Sequence, residues 1–246
     1  MIEQLPLGYL KINPANKEEL INNISKNIID HNKSYCIPLN LSKYIMAKKD
    51  AKLREVILRA DMVIADGIAI VWLCKRAGYR HITKIAGIDL AEDVLAQAKE
   101  NNWRLFFLGA SPENINLCIN NIAKQYNGIC IAGSHHGYFR NEEVPRIRDL
   151  INSSNANILL VGMGLPQKEY FIHDYFSKLN VNFALTVGGA FDIWAGKKKR
   201  TPQVFQKMGI EWLARSIYDK SRAGLIFRYG LYFIKEFVFY KVNNRN

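Results

Sequence analysis

An α/β chain built on an open, doubly wound, mostly parallel sheet is the fold class this sequence predicts. Two observations carry it: short apolar runs alternate with longer segments of helical period, and nearly every run stops at a small or polar residue. A strand buried on both faces has no need of a polar side, so wholly apolar runs are what a parallel sheet under helices should show. The run 35–39 stops at Asn40 and is followed by a helix over 42–59. The run 62–65 stops at Asp66-Gly67 and leads into a helix over 68–77. A helix over 90–101 precedes the run 104–108, which stops at Gly109, and a helix over 113–125 comes next. The run 128–132 is followed by a helix over 142–152, and the run 157–161 stops at Gly162 ahead of a helix over 167–176. The last run, 182–187, stops at Gly188-Gly189, and a final periodic segment covers 202–217.

Ligands of such sheets sit beyond the carboxyl ends of the strands, so the residues just after each run belong together. They are Pro38-Leu39-Asn40, Asp66-Gly67, Gly109-Ala110-Ser111, Gly162 to Gln167 and Gly188 to Asp192. From Arg222 to Val242 the character changes to apolar and aromatic residues broken by Arg228, Lys235, Glu236 and Lys241. A spanning helix needs about 20 mostly apolar residues. The interruptions fit instead a helix lying in a membrane interface, with a helix packed on the domain or on another subunit as the rival reading. Two parts are therefore expected: a main α/β domain over 1–200 and a helical, basic and aromatic appendage over 201–246.

With 246 residues, 49% of them hydrophobic, the chain can bury a sizeable core, and it has no repeat or low-complexity tract. Its net charge of +12 favours anionic partners without choosing among nucleotide diphosphates, nucleic acid and lipid. The charge is densest at Lys197, Lys198, Lys199 and Arg200. Cys36, Cys74, Cys118 and Cys130 are far apart with no CxxC pair, and the chain begins without a signal-peptide pattern, which points to reduced thiols in a cytosolic setting. The five histidines form no metal-ligand pattern, and His135 and His136 should face opposite ways on an extended segment.

Each motif taken singly has two readings. Gly109-Ala110-Ser111-Pro112 can offer amides and a helix N-terminus to a diphosphate, or simply make a turn. Absence of GxGxxG and of GxxxxGK[ST] lowers the odds of a dinucleotide dehydrogenase and of a P-loop ATPase. Gln167 can reach a sugar or nucleotide hydroxyl, or sit exposed at a helix start. Asp66 can take a proton from an acceptor hydroxyl, or cap the next helix. Asp192 can accept from a ribose or base donor, and the basic tetrad after it can hold an anion or be a solvated face.

Taken in order, Asp66-Gly67, Gly87-Ile88-Asp89-Leu90, Phe107-Leu108-Gly109, Gly162 to Glu169, Val187 to Asp192 and Gly209-Ile210-Glu211-Trp212-Leu213-Ala214-Arg215 resemble the WecG/TagA/CpsF glycosyltransferases, glycosyltransferase family 26, over roughly residues 30–230. The resemblance implies a Rossmann-like sheet and an inverting transferase needing no metal and no cofactor. It implies a UDP-sugar donor, with an N-acetylmannosamine-like, N-acetylmannosaminuronate-like or glucose-like sugar, and a polyprenyl-diphosphate-linked saccharide acceptor of bacterial cell-surface polysaccharide synthesis. It assigns the general base to Asp66, donor contacts to Asn40, Gln167 and Asp192, and the diphosphate to Arg215 and Arg222. Several positions depart from the family pattern: Pro38 stands where a Thr is common, Lys84 where an Arg is common, Asp219-Lys220-Ser221-Arg222 where the pattern reads EPxR, and Leu225 where a further Arg is often found.

The expected mechanism has UDP across the carboxyl edge, its charge met by Lys84, Arg215, Arg222 and amides near Gly109. The expected setting is the cytoplasmic face of the bacterial plasma membrane, against an anionic lipid surface, with no nucleic-acid partner and with self-association left open. A nicotinamide-dependent oxidoreductase and a non-catalytic basic module binding lipid or nucleic acid are the alternatives.

Overall fold

The computed structural model describes residues 3–200. Six parallel strands form the central sheet: β3 (Ser34–Leu39), β4 (Met62–Ala65), β5 (Leu105–Gly109), β6 (Ile131–His135), β7 (Ile158–Gly162) and β8 (Phe183–Thr186), in the order β4-β3-β8-β7-β5-β6. The sheet class expected from the alternation of runs and periodic segments is therefore found. A small antiparallel hairpin of β1 (Leu5–Leu7) and β2 (Leu10–Ile12) precedes it. Helices α1 (Lys17–Ile29), α2 (Leu41–Lys49), α3 (Ala51–Arg59), α4 (Ile68–Arg76), α5 (Gly87–Glu100), α6 (Pro112–Gln125), α7 (Val144–Ser153), α8 (Gln167–Tyr175) and α9 (Ala190–Trp194) complete the described residues.

The period of two along each strand splits the core between the faces. Leu105, Phe107, Ile158, Leu160, Phe183 and Leu185 point to the side covered by α1, α5, α6 and α9, where Leu20, Ile24, Leu95 and Cys118 meet them. Phe106, Leu108, Leu159, Val161 and Ala184 point to the other side, under α7 and α8. On that same side Ile37, Leu39, Val63 and Ala65 lie under α2, α3 and α4. Fully burying each large apolar side chain is worth about 1.5–3 kcal/mol, which makes the wholly apolar strands the main source of stability.

Four features differ from the sequence expectations. The predicted 42–59 helix is two helices, because Asp50 ends α2 and accepts from the Leu53 N–H to start α3. The sixth strand begins at Ile131 rather than at 128, leaving Gly128 in a turn with φ +87°. The hairpin and α1 were not anticipated, although Asn16 and Glu19 form a capping box at the start of α1. The segment after Gly188-Gly189, for which the sequence suggested no element, is the short helix α9. Outside the described residues lie the predicted 202–217 helix and the 201–246 appendage, with Arg215 and Arg222. No helix among the described residues is long and apolar enough to cross a membrane.

Candidate active site

Parallel strands put all their carboxyl ends on one edge, and the strand order fixes the sequence of loops along it. From one side to the other these begin with Asp66 after β4, Asn40 after β3, Val187 after β8, Met163 after β7, Ala110 after β5 and His136 after β6. The chain leaves β5 toward β6 and leaves β7 toward β8, so connections diverge between these neighbours and open a crevice there.

A groove of about 1040 Å³ occupies that crevice. Four strand-end loops line it, contributing Ala110-Ser111, Gly137 to Asn141, Gly162 to Gly164 with Gln167, and Gly188-Gly189 with Asp192. Ligand pockets run to about 300–1,000 Å³, so the groove can hold a molecule larger than a single sugar. A smaller hollow of about 420 Å³ is lined by Glu3, Pro14, Ala15, Glu19 and His81. Its two carboxylates disfavour a diphosphate, and it receives none of the glycine-rich strand-end loops; the groove is the better candidate.

Glycine is required where β5 meets β7. A Cβ on Gly109, at φ +149°, would stand 2.3 Å from the Gly162 carbonyl oxygen. The next residue, Ala110, spends its N–H on that same oxygen at 3.0 Å, so this amide is already engaged. Ser111 caps α6 by accepting from the Asn114 N–H at 3.2 Å. The groove therefore borders the N-terminus of α6, but with fewer open amides than the sequence expectation supposed.

Asp192 and Gln167 both line the groove. Gln167 is exposed at the first turn of α8, after a loop whose Leu165–Pro166 peptide is cis. Both oxygens of Asp192 are engaged: Oδ1 accepts from Asn114 Nδ2 at 2.9 Å and Oδ2 pairs with Lys198 Nζ at 2.5 Å. Lys197 pairs with Glu113 at 2.6 Å, and Arg200 meets Asp89 and Glu92. Three of the four basic residues of the tetrad thus face carboxylates within the fold.

Asp66, Asn40 and Lys84 are not among the groove-lining residues; they occupy the other half of the same edge. Asp66 does not cap its own helix, whose N-cap is Gly67 at φ +126°. Its carboxylate instead turns to the start of α5, where Oδ1 accepts from the Gly87 N–H at 3.3 Å, and its own N–H donates to Leu39 O at 2.9 Å. Lys84 is held beside the end of β4 by the bond from the Ile85 N–H to Ala65 O at 3.0 Å. Asn40 is the N-cap of α2, its Oδ1 accepting from the Lys43 N–H at 3.0 Å.

Beneath this half lies a buried ionic cluster that sequence reasoning missed. Glu169 Oε1 pairs with Lys43 Nζ at 3.0 Å and with Lys168 Nζ at 3.2 Å. All three side chains are at least 95% buried. Lys43 also donates to the Pro38 carbonyl at 2.7 Å. Burial chiefly pushes the Lys168 ammonium down from its ordinary 10.5 to about 8; Lys43 adds to this, while Glu169 and Asp66 oppose it. The only signal in the sequence was Lys-Glu directly after the Gly162 to Gln167 loop, a pair that normally reads as a solvated helix face.

His135 and His136 do not diverge: their rings lie 4.4 Å apart, and His135 Nδ1 is 2.8 Å from the His136 carbonyl. Among the described residues no cluster of His, Cys, Asp and Glu has the arrangement of a metal site. A family model described as glycosyl transferase WecG/TagA/CpsF family matches residues 6–246, which is nearly the whole chain and agrees with the ordered loops along the carboxyl edge; the chain belongs to the WecG/TagA/CpsF family of glycosyl transferases.

Proposed function

We propose that the chain is an inverting, metal-independent transferase that moves a sugar from a UDP donor to a polyprenyl-diphosphate-linked saccharide, with Asp66 as the general base. One observation carries the reading: a groove ringed by four glycine-bearing loops and a carboxylate backed by a helix N-terminus share one edge of the sheet. The groove suits an extended anionic donor, because glycines let backbone approach closely and the α6 N-terminus carries positive potential. Asp66 suits proton removal, because it is partly exposed and the bond its Oδ1 accepts from the Gly87 N–H, at 3.3 Å, is long enough to be exchanged for an acceptor hydroxyl.

In the proposed step the acceptor oxygen attacks the anomeric carbon, the bond to the UDP oxygen breaks, and the acceptor proton passes to Asp66. Departing UDP carries the new negative charge, for which Lys84, Arg215 and Arg222 are the proposed counter-ions. The tail that holds the two arginines is proposed to rest on an anionic lipid surface at the inner face of the membrane, where the carrier lipid is found. Release of UDP from a panel of UDP-sugars, on adding a synthetic prenyl-diphosphate sugar to the full chain, tests the reading. Turnover with one donor that depends on the lipid acceptor is the expected result. No release with any donor, or release independent of acceptor, would count against it.

A further inference from the structure

The buried Lys43–Glu169–Lys168 cluster is not explained by stability. Pairing buried charges gains little over packed apolar residues, and here one carboxylate oxygen, Glu169 Oε2, has no hydrogen-bond partner among the described residues. Lys43 is also ill-placed as a helical residue: it stands in the first turn of α2, where the positive potential of a helix N-terminus disfavours a cation. What the cluster does hold is the end of β3. Lys43 Nζ donates to the Pro38 carbonyl at 2.7 Å and meets Glu169 Oε1 at 3.0 Å, while the Lys43 N–H donates to Asn40 Oδ1 at 3.0 Å. One residue thus closes the turn from Pro38 to Asn40 with both its side chain and its backbone. Because that N–H must meet an oxygen, the Asn40 amide is turned with its Nδ2 away from it. Nδ2 has no partner among the described residues, and Asn40 is half-buried at the carboxyl edge, so this donor can serve a ligand. Leu39 is in register with Ala65, so the next residues, Asn40 and Asp66, end neighbouring strands side by side.

We infer that Glu169 and Lys43 form a buried strut from α8 to the end of β3, and that both are positioning residues which aim the Asn40 Nδ2 donor at an oxygen of the transferred sugar. The inference rests on the reaction proposed above, in which that sugar lies beside Asp66. Glu169 and Lys43 act only through Asn40, since their side chains are 0% and 4% exposed and reach no ligand themselves. Lys168, 3.2 Å from the same Oε1, seats the Glu169 carboxylate from its own helix. Glu169 follows Gln167 by two residues, and Gln167 lines the groove, so the strut also ties the donor side of the edge to the Asn40 side.

Two variants of the full chain break the strut without leaving a lone buried charge. Glu169→Asp keeps the carboxylate but withdraws it by one methylene. The triple variant Lys43→Met, Lys168→Met, Glu169→Met exchanges all three groups for apolar side chains, a change that often leaves stability near its original value. The first measurement needs no turnover: χ1 couplings of Asn40, read by NMR, should report one rotamer in the wild type and an average over rotamers in both variants. A single unchanged rotamer overturns the inference. The second is UDP release, where each variant should lose about 10–100-fold in kcat, as expected when a binding group is misplaced by an ångström, with UDP affinity within about twofold. Asn40→Ser keeps a helix cap but not the Nδ2 donor, and so separates position from general packing. Built into Asn40→Ser, each strut variant should cost no more than about a further threefold in kcat, because the group it positions is already gone. Equal losses in the two backgrounds, or near-normal kcat in a folded strut variant, overturn the inference. A strut that fixes the Asn40 rotamer in a wild type that releases no UDP would instead discard the proposed reaction.

Discussion

Replacing Lys168 with Met should change the pH dependence of stability in a direction opposite to that of an ordinary ion-pair lysine. The folded chain releases the Lys168 proton near 8, whereas an unfolded chain releases it near 10.5. At about 1.36 kcal/mol per pH unit, that gap corresponds to about 3 kcal/mol. The sign follows from proton counting. Below pH 8 both states hold the proton and the full cost of burying the ammonium is present. Between 8 and 10.5 the unfolded chain holds a proton that the folded chain has lost, so the wild type gains stability relative to the variant as pH rises. Urea unfolding of both proteins at pH 7 and pH 10.5 measures it: the difference in unfolding free energy should shift by about 3 kcal/mol toward the wild type. The gap of about 3 kcal/mol already contains the Glu169 contact, since that carboxylate is one of the groups that set the proton affinity of Lys168. A difference that stays constant within about 0.5 kcal/mol, or moves toward the variant, would show that Lys168 is not a buried ammonium in the folded chain.

Asp66→Asn should reduce UDP-releasing turnover by about 10²–10⁴-fold while leaving UDP affinity, read by calorimetry, nearly unchanged. Gly109→Ala should destabilise the fold by about 2 kcal/mol or more in thermal or urea unfolding, because the new methyl meets a fixed backbone carbonyl rather than a movable side chain. Lys43→Met should cost about 3–5 kcal/mol of unfolding free energy, more than Lys168→Met at neutral pH, since it strips both the nearer cation from buried Glu169 and the donor from the Pro38 carbonyl.

The sheet was legible because strands covered on both faces leave an unbroken apolar record, and five of the six runs lie within a residue or two of β3, β4, β5, β7 and β8. The sixth was displaced for a physical reason: β6 is an edge strand, half-buried throughout, and its Gly133-Ser134-His135 end carries no apolar run. Helical period alone could not show the break at Asp50, where one side chain ends one helix and begins the next. Of the site, the residues following the strands were legible because topology brings them to one edge wherever they stand in the chain. Partners were not: that Asn114 and Lys198 occupy Asp192, or that Gly162 accepts the Ala110 N–H, depends on distances between elements that no local pattern records. Lys43, Lys168 and Glu169 were invisible for the same reason, since charged residues on helices ordinarily mean solvent.

The two halves of the edge raise a geometric question that the β7–α8 loop answers. Asp66 stands at the end of β4, three strand positions from β7, or about 14 Å at ordinary strand spacing. A donor lying only over β5 and β7 would leave its reacting carbon out of reach of that carboxylate. The loop closes the distance from one side: Gly164 and Gln167 face the groove, while the very next residue, Lys168, turns inward to the buried Glu169 carboxylate. Leu165 and Tyr170 pack with the α2, α3 and α4 cluster rather than with the β5 side, so α8 spans from the groove toward Asn40 and Asp66. On the proposed reading, this arrangement places the sugar over β8 and β3, between the groove that holds UDP and the base that receives the acceptor proton. Asn40 and Gly188-Gly189, which end those two strands, are then the backbone and side-chain groups nearest the bond that breaks, and small side-chain changes at Asn40 should alter which sugar is transferred more than how tightly UDP is held.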